Sequence, residues 1–176
     1  VKYKYYYDGE LQTTGYSESM FNEKDISILN DKLGMSFTPV FNGSQSADRT
    51  ISLMGHMANT SNIGGSSAYT GELYGFVSLP KEELDGVGYT IYGKLPEKSG
   101  EIAISKFMYE QLNFTGFRSN TVGESVNIDA GSLTYSDSSN DSNSIIGKSI
   151  QLNVGYTTKT FKITAVIDTQ FEYDRY

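Results

Sequence analysis

Between Ser149 and Asp168 the apolar residues fall on alternate positions twice over, first Ile150, Leu152 and Val154, then Phe161, Ile163, Ala165 and Ile167. A period of two places each set on one face of a strand. Gly155 to Lys159 supplies the reversal between them, so this stretch predicts an antiparallel hairpin with one face buried. Such a face needs a cover. The residues expected to provide it are Ile26, Leu29 and Leu33 from one helix, with Ile102, Ile104, Met108 and Leu112 from a strand and helix further along.

The earlier helix is well signalled. Asn22 is the expected N-cap, Asp25 stands three residues on in the place of a capping-box partner, and Phe21 and Ile26 occupy the positions of a hydrophobic staple. Gly34 marks the stop. Strands are expected at Lys2 to Asp8, Ser36 to Phe41, Thr50 to Met54, Glu72 to Leu79, Gly88 to Tyr92, Glu101 to Ile104 and Val122 to Ile128, with a helical turn from Pro80 to Gly86. Ser105 fits the N-cap of a helix from Lys106 to Leu112. Residues 42 to 71 carry turn signals, Gly64-Gly65-Ser66-Ser67 among them. Asp137 to Asn143 has nothing to bury and is expected to be mobile and to tolerate deletion. Helices of unequal length among about eight strands predict an α+β fold, a single domain over 1–176 with subdomains at 1–90 and 91–176.

Composition narrows the function classes. The 176 residues carry 14 Lys and Arg against 21 Asp and Glu, a net charge of −7. No basic stripe appears of the kind that neutralises phosphates, which excludes nucleic acid as a partner. No apolar run approaches the roughly 20 residues of a membrane-spanning helix. The chain has no cysteine, which removes thiolate catalysis, zinc–thiolate sites and disulfides together. Its 14 Tyr and 9 Phe, without Trp, suit strands with tyrosine-bearing outer faces.

No catalytic constellation emerges. His56 is the sole histidine. A Ser-His-Asp triad would have to use it, with Asp48 as partner, yet no nucleophile elbow surrounds any serine. A loop or strand-end histidine, replaceable without loss of function or stability, is the expectation. Asp137 to Asn143 has the alternate acidic residues of a calcium loop, but Ser142 stands at the glycine position and Lys148 at that of the bidentate glutamate. Gly64-Gly65-Ser66-Ser67 lacks the Lys-Ser/Thr of a phosphate cradle. Glu82 and Glu83 fit a wetted helix face, and Tyr3, Tyr5, Tyr6 and Tyr7 fit ordinary strand packing. Asn42, Asn59 and Asn113 begin Asn-x-Ser/Thr triplets of the number that so Asn- and Ser-rich a chain produces by chance. The expectation is a non-enzyme with no catalytic, metal or cofactor residue.

One longer pattern remains. Gly93-Lys94-Leu95-Pro96 is followed by Gly100-Glu101-Ile102-Ala103-Ile104-Ser105 and a helix. Then come Val122-Gly123-Glu124-Ser125-Val126, Ile146-Gly147-Lys148-Ser149-Ile150 and Phe161-Lys162-Ile163-Thr164-Ala165-Val166-Ile167. This order resembles the extracytoplasmic domain of MacB- and FtsX-like ABC-transporter permeases over about residues 84 to 169. The resemblance implies a MacB periplasmic core-like arrangement, a mixed α/β core subdomain with a β-rich second one. Gly93, Pro96, Glu101, Ile102, Ile104, Ser105, Gly123 and Gly147 are then structural motif residues. Lys94 replaces the usual Arg, and Ala165 stands where the family often has Gly.

What the resemblance implies for function is mechanotransmission. The domain would lie at the extracellular face of a bacterial membrane and be moved by its own transmembrane helices and a separate ATPase subunit or domain. It would act on a peptide, lipid or protein outside the cell. In that case Lys2 to Tyr7 and Phe161 to Ile167 are expected to be neighbouring strands, or nearly so, with Val1 and Tyr176 leaving on one side. The rival class is a secreted or cell-surface binding module for carbohydrate or protein, using surface tyrosines; a small hydrolase built on His56 comes third.

Overall fold

The computed structural model describes residues 2–7, 10–16, 23–38, 40–41, 51–59, 72–73, 75–121, 124–138, 140–154 and 157–170. Asn22, Phe21, Asp48, the Gly64 to Ser67 run, Gly123, Val1 and Tyr176 lie outside them, and with them the expectations for the helix cap, the staple and the two chain ends. The fold is α+β and divides into two compact units, Val1–Pro39 and Val40–Tyr176.

In the first unit, β1 (Lys2–Tyr7) and β2 (Glu10–Tyr16) form an antiparallel hairpin closing at Tyr7↔Glu10. The helix α1 spans Glu23–Leu33. Gly34 ends it with φ 61°, donating its N–H to the Asn30 carbonyl at 2.9 Å. The amide oxygen of Asn30 then accepts from Phe37 N–H at 2.9 Å. That bond folds the chain back on the helix end, and the strand expected from Ser36 is reduced to Val40–Phe41, β3, which belongs to the second unit and pairs there with Phe76–Val77. The apolar stripe is shorter than expected too. Ile26 and Leu29 are half-buried, but Leu33 is 57% exposed, so the last turn of α1 is not a core element of its unit.

The second unit adds β4 (Ile51–Ser52), a 3₁₀ turn at Met54–His56, β5 (Glu72–Leu73), β6 (Phe76–Val77) and α2 (Lys81–Gly86). Then follow β7 (Thr90–Gly93), β8 (Glu101–Ser105), α3 (Lys106–Thr115), β9 (Phe117–Thr121), β10 (Glu124–Ile128), β11 (Ser149–Val154) and β12 (Thr157–Asp168). Gly75, at φ 157° between β5 and β6, splits what reads as one strand. The Ser105 hydroxyl caps α3 by accepting from Met108 N–H at 3.2 Å. The helix buries Met108, Tyr109, Gln111, Leu112 and Thr115.

β12 organises this unit. Its first half pairs antiparallel with β11, from Val154↔Thr157 to Ser149↔Lys162. The expected turn is therefore too long, since Thr157 to Lys159 already belong to the ladder. Its second half pairs antiparallel with β7 (Ala165↔Gly93 to Asp168↔Thr90) and parallel with β8 (Lys162↔Glu101 to Ile167↔Ser105). The parallel register skips Thr164, where the strand bulges. The bulge resets the alternation: Ile163, Ala165 and Val166 are all fully buried, while Ile167 is only half-buried. Within its own unit β12 is thus the shared partner of β7, β8 and β11.

The core joins Ile104, Met108, Leu112, Ile150, Leu152, Ile163 and Val166 to Ile51, Leu53 and Met57. Full burial of such a side chain stabilises by roughly 1.5–3 kcal/mol. Residues 51–57 therefore pack in the same cluster as the terminal hairpin. Among the described residues no helix is long and apolar enough to cross a membrane.

Candidate functional site

The motif residues that the sequence singles out converge on β12. Gly93 ends β7 with φ 90°, and a Cβ there would strike the Thr164 carbonyl oxygen of the bulge. Only glycine meets both conditions. The next residue, Lys94, donates its N–H to that carbonyl at 2.9 Å. Pro96 is exposed at the start of the turn into β8. Glu101 holds this turn closed, its carboxylate accepting from Glu97 N–H at 2.9 Å and Lys98 N–H at 3.1 Å. The Glu97 bond, chiefly, keeps the Glu101 carboxyl below the ordinary range. Ile102 and Ile104 lie opposite Ile163 and Val166 on β12, and Ser105 caps α3. Gly147, at φ 93°, donates its N–H to the Ile163 carbonyl at 2.8 Å. Seven of the eight motif residues thus lie on, beside or one turn from β12.

A side-chain clasp extends this sheet. His56 is 3% exposed. Its Nδ1 lies 2.8 Å from the Arg118 carbonyl of β9 and can only donate to it, which leaves the neutral ring's Nε2 to accept from Gln151 N–H of β11, also at 2.8 Å. The Gln151 carbonyl lies 2.9 Å from the same nitrogen. One step away, the Ser119 hydroxyl donates to the Ser149 carbonyl at 2.9 Å. Gln151 and Ser149 turn the same edge of β11 away from β12, so an imidazole and a hydroxyl fill the place of a backbone ladder between β9 and β11. The ring also stacks on Phe117 at 6.3 Å between centroids. A histidine so engaged is a structural tie, and the expectation that its replacement leaves stability unchanged is corrected.

The Asp137 to Asn143 run is likewise better anchored than its composition suggests. The Asp141 carboxylate accepts from the Thr134 hydroxyl at 2.6 Å and from Asn143 N–H at 3.0 Å. The Ser144 hydroxyl donates to the Ser136 carbonyl at 2.5 Å, and Ile145 N–H to the Thr134 carbonyl at 2.9 Å. Ser144 and Ile145 are buried. Short polar side chains bonding to nearby backbone give the loop a defined path where no apolar residue could. Among the described residues no group of three or more His, Asp or Glu could hold a metal ion.

This loop closes a cleft that sequence reasoning missed. An open cavity of about 420 Å³ is lined by Tyr92 of β7, Tyr109 of α3, and Leu133, Thr134, Tyr135 and Ser136. Tyr135 meets Tyr92 at 4.6 Å and 55°, and Tyr109 edge-on at 4.7 Å and 87°. Tyr109 forms the buried floor, its hydroxyl donating to the Leu133 carbonyl at 2.6 Å. Burial, with smaller contributions from Tyr135 and Glu110, raises its phenol above the ordinary range. Nearby, Lys106 Nζ and Asp168 Oδ2 pair at 2.7 Å. That hydrogen bond is the main cause raising the ammonium and lowering the carboxyl. The one available signal was Tyr135 itself, a lone large ring in a polar stretch.

No protein-family model, curated protein or solved structure matches the chain. Its class is therefore defined by the fold alone, an α+β protein whose conspicuous features surround one long strand.

Proposed function

We propose that the chain is a non-catalytic extracytoplasmic domain of a MacB- or FtsX-like ABC-transporter permease, with MacB-like subdomains, coupling membrane-helix motion to a partner or substrate outside the cell. One observation carries the reading: the Glu101–Ser105 strand lies parallel to the returning strand β12 in register, and Gly93 and Gly147 grip the same stretch. A displacement applied along β12 would reach β7, β8, α3 and β11 together, which is what a mechanotransmitting element requires. Residues 1–176 contain no cysteine, so once any cysteine elsewhere in the whole protein is replaced by serine, labelling reports a single position. In cells making the whole protein, a single Asn140→Cys on the exposed loop should react with a membrane-impermeant maleimide before lysis, and the protein should stay in the membrane pellet after carbonate washing. Release by carbonate, or labelling only after lysis, would overturn the proposal.

A second reading, a binding module, is favoured by the tyrosine cleft. It is compatible with the first, since a moved domain also needs something to hold.

A further inference from the structure

The geometry points to the cleft between β7, α3 and the 133–136 loop as a binding site for a neutral acetamido-sugar oligomer, a chain of N-acetylhexosamine units. This goes beyond the permease reading and does not depend on it. The cavity, about 420 Å³, falls within the usual range for small-ligand sites, roughly 300–1,000 Å³. Its walls stand on rigid supports. Tyr92 sits on β7, held by β12 through Val166↔Tyr92. Tyr109 is fixed by its bond to the Leu133 carbonyl. Leu133 N–H in turn is taken by the Asn113 amide oxygen at 3.0 Å, and Tyr135 lies between two buried anchors, Leu133 and Ser144. A site preorganised in this way loses little freedom on binding.

The lining specifies the ligand's chemistry. Of the six residues none is charged, although the chain as a whole carries −7. Lys106, on the same helix as Tyr109, is engaged by Asp168. A charged ligand entering here would lose hydration with no charged lining residue to pair with, so the lining favours a neutral one. Tyr92 and Tyr135 are half-buried and line the cleft, and tyrosine supplies the amphipathic surface on which the C–H face of a sugar ring packs. The Ser136 hydroxyl, which accepts from Ser138 N–H, still has its own proton to donate. Carbon dominates the rest of the lining, which suits the acetamido methyl better than a plain hexose hydroxyl.

The test uses the whole 176-residue chain, isotopically labelled and titrated with chitotetraose while amide resonances are followed. The expected result is saturable shifts confined to Tyr92, Tyr109 and residues 133–136, with a Tyr135→Ala variant binding about tenfold more weakly and Tyr135→Phe, which keeps the ring, nearly as well as the parent. Maltotetraose, lacking the acetamido groups, should bind measurably more weakly. Mapping on the parent protein decides the matter even if Tyr135→Ala folds poorly. No shifts at millimolar sugar, shifts located elsewhere, or a response at these residues to a proline-rich decapeptide but not to the sugar would each overturn the assignment. None of these outcomes bears on the membrane-labelling result.

Discussion

Replacing His56 with alanine removes the tie between β9 and β11, and the cost follows from its bonds. Two hydrogen bonds are lost, to the Arg118 carbonyl and from Gln151 N–H, both at 2.8 Å. The alanine methyl reaches neither group. Each orphaned backbone group in a buried setting costs about 1–3 kcal/mol, and the stacking of the ring on Phe117 goes as well. Partial rehydration offsets some of this, which leaves a loss of about 2–5 kcal/mol, a large share of the roughly 5–15 kcal/mol that stabilises an ordinary domain. At about 2–4 °C per kcal/mol for a chain of this size, Tm should fall by roughly 5–15 °C. Thermal unfolding followed by circular dichroism measures that fall, and urea denaturation measures the free-energy loss, with the slope m unchanged. His56→Asn, whose amide nitrogen can stand near the place of Nδ1, should recover part of the loss by donating again to Arg118. A change below about 0.5 kcal/mol, typical of surface sites, would refute the clasp. So would an asparagine variant no better than alanine.

Gly93→Ala should cost roughly 2–3 kcal/mol in the same urea assay, because alanine at that positive φ is strained and its Cβ meets the Thr164 carbonyl. The Lys106–Asp168 pair should stabilise across the neutral range. With the Asp168 carboxyl lowered, its contribution is present above about pH 4 and is lost as pH falls through the depressed folded value. With the Lys106 ammonium raised, its contribution is present below about pH 10.4 and is lost as pH climbs through the elevated folded value. Asp168→Asn should flatten both limbs of a plot of urea midpoint against pH. Asp141→Ala, which removes the bonds to Thr134 and Asn143, should cost about 1–2 kcal/mol and shift the Tyr135 ring resonances, whereas an unanchored loop would show neither effect.

Elements whose signals are local were legible. Gly34 marks the end of α1, Pro80 and Gly86 bracket α2, Ser105 caps α3, and the alternation from Ile150 places the terminal hairpin. What escaped depends on partners distant in sequence. β9 reads Phe-Arg-Ser-Asn-Thr, with one apolar residue and no alternation, and it is held by β10 and, through the His56 and Ser119 side chains, by the backbone of β11. The burial of Val166 beside Ala165 comes from a bulge that only the parallel partner β8 reveals. His56 looked idle because its partners stand 62 and 95 residues away. The tyrosine cleft draws on three elements, and no spacing within any one of them announces it.

The position of β12 also sets the order in which the protein can be made. The segment Thr157–Asp168 is the shared partner of β7, β8 and β11, so a growing chain must extend past Asp168 before the second unit can close. Until then Ile102, Ile104, Ile150 and Leu152 lack the strand they pack against, and β8 has no parallel mate. Pairings across such long separations in sequence are intrinsically slow to form. The nascent chain therefore passes through a long interval with apolar surface and strand edges open, the state in which aggregation competes with folding. Closure of this unit therefore waits on the emergence of the one strand that its other strands share.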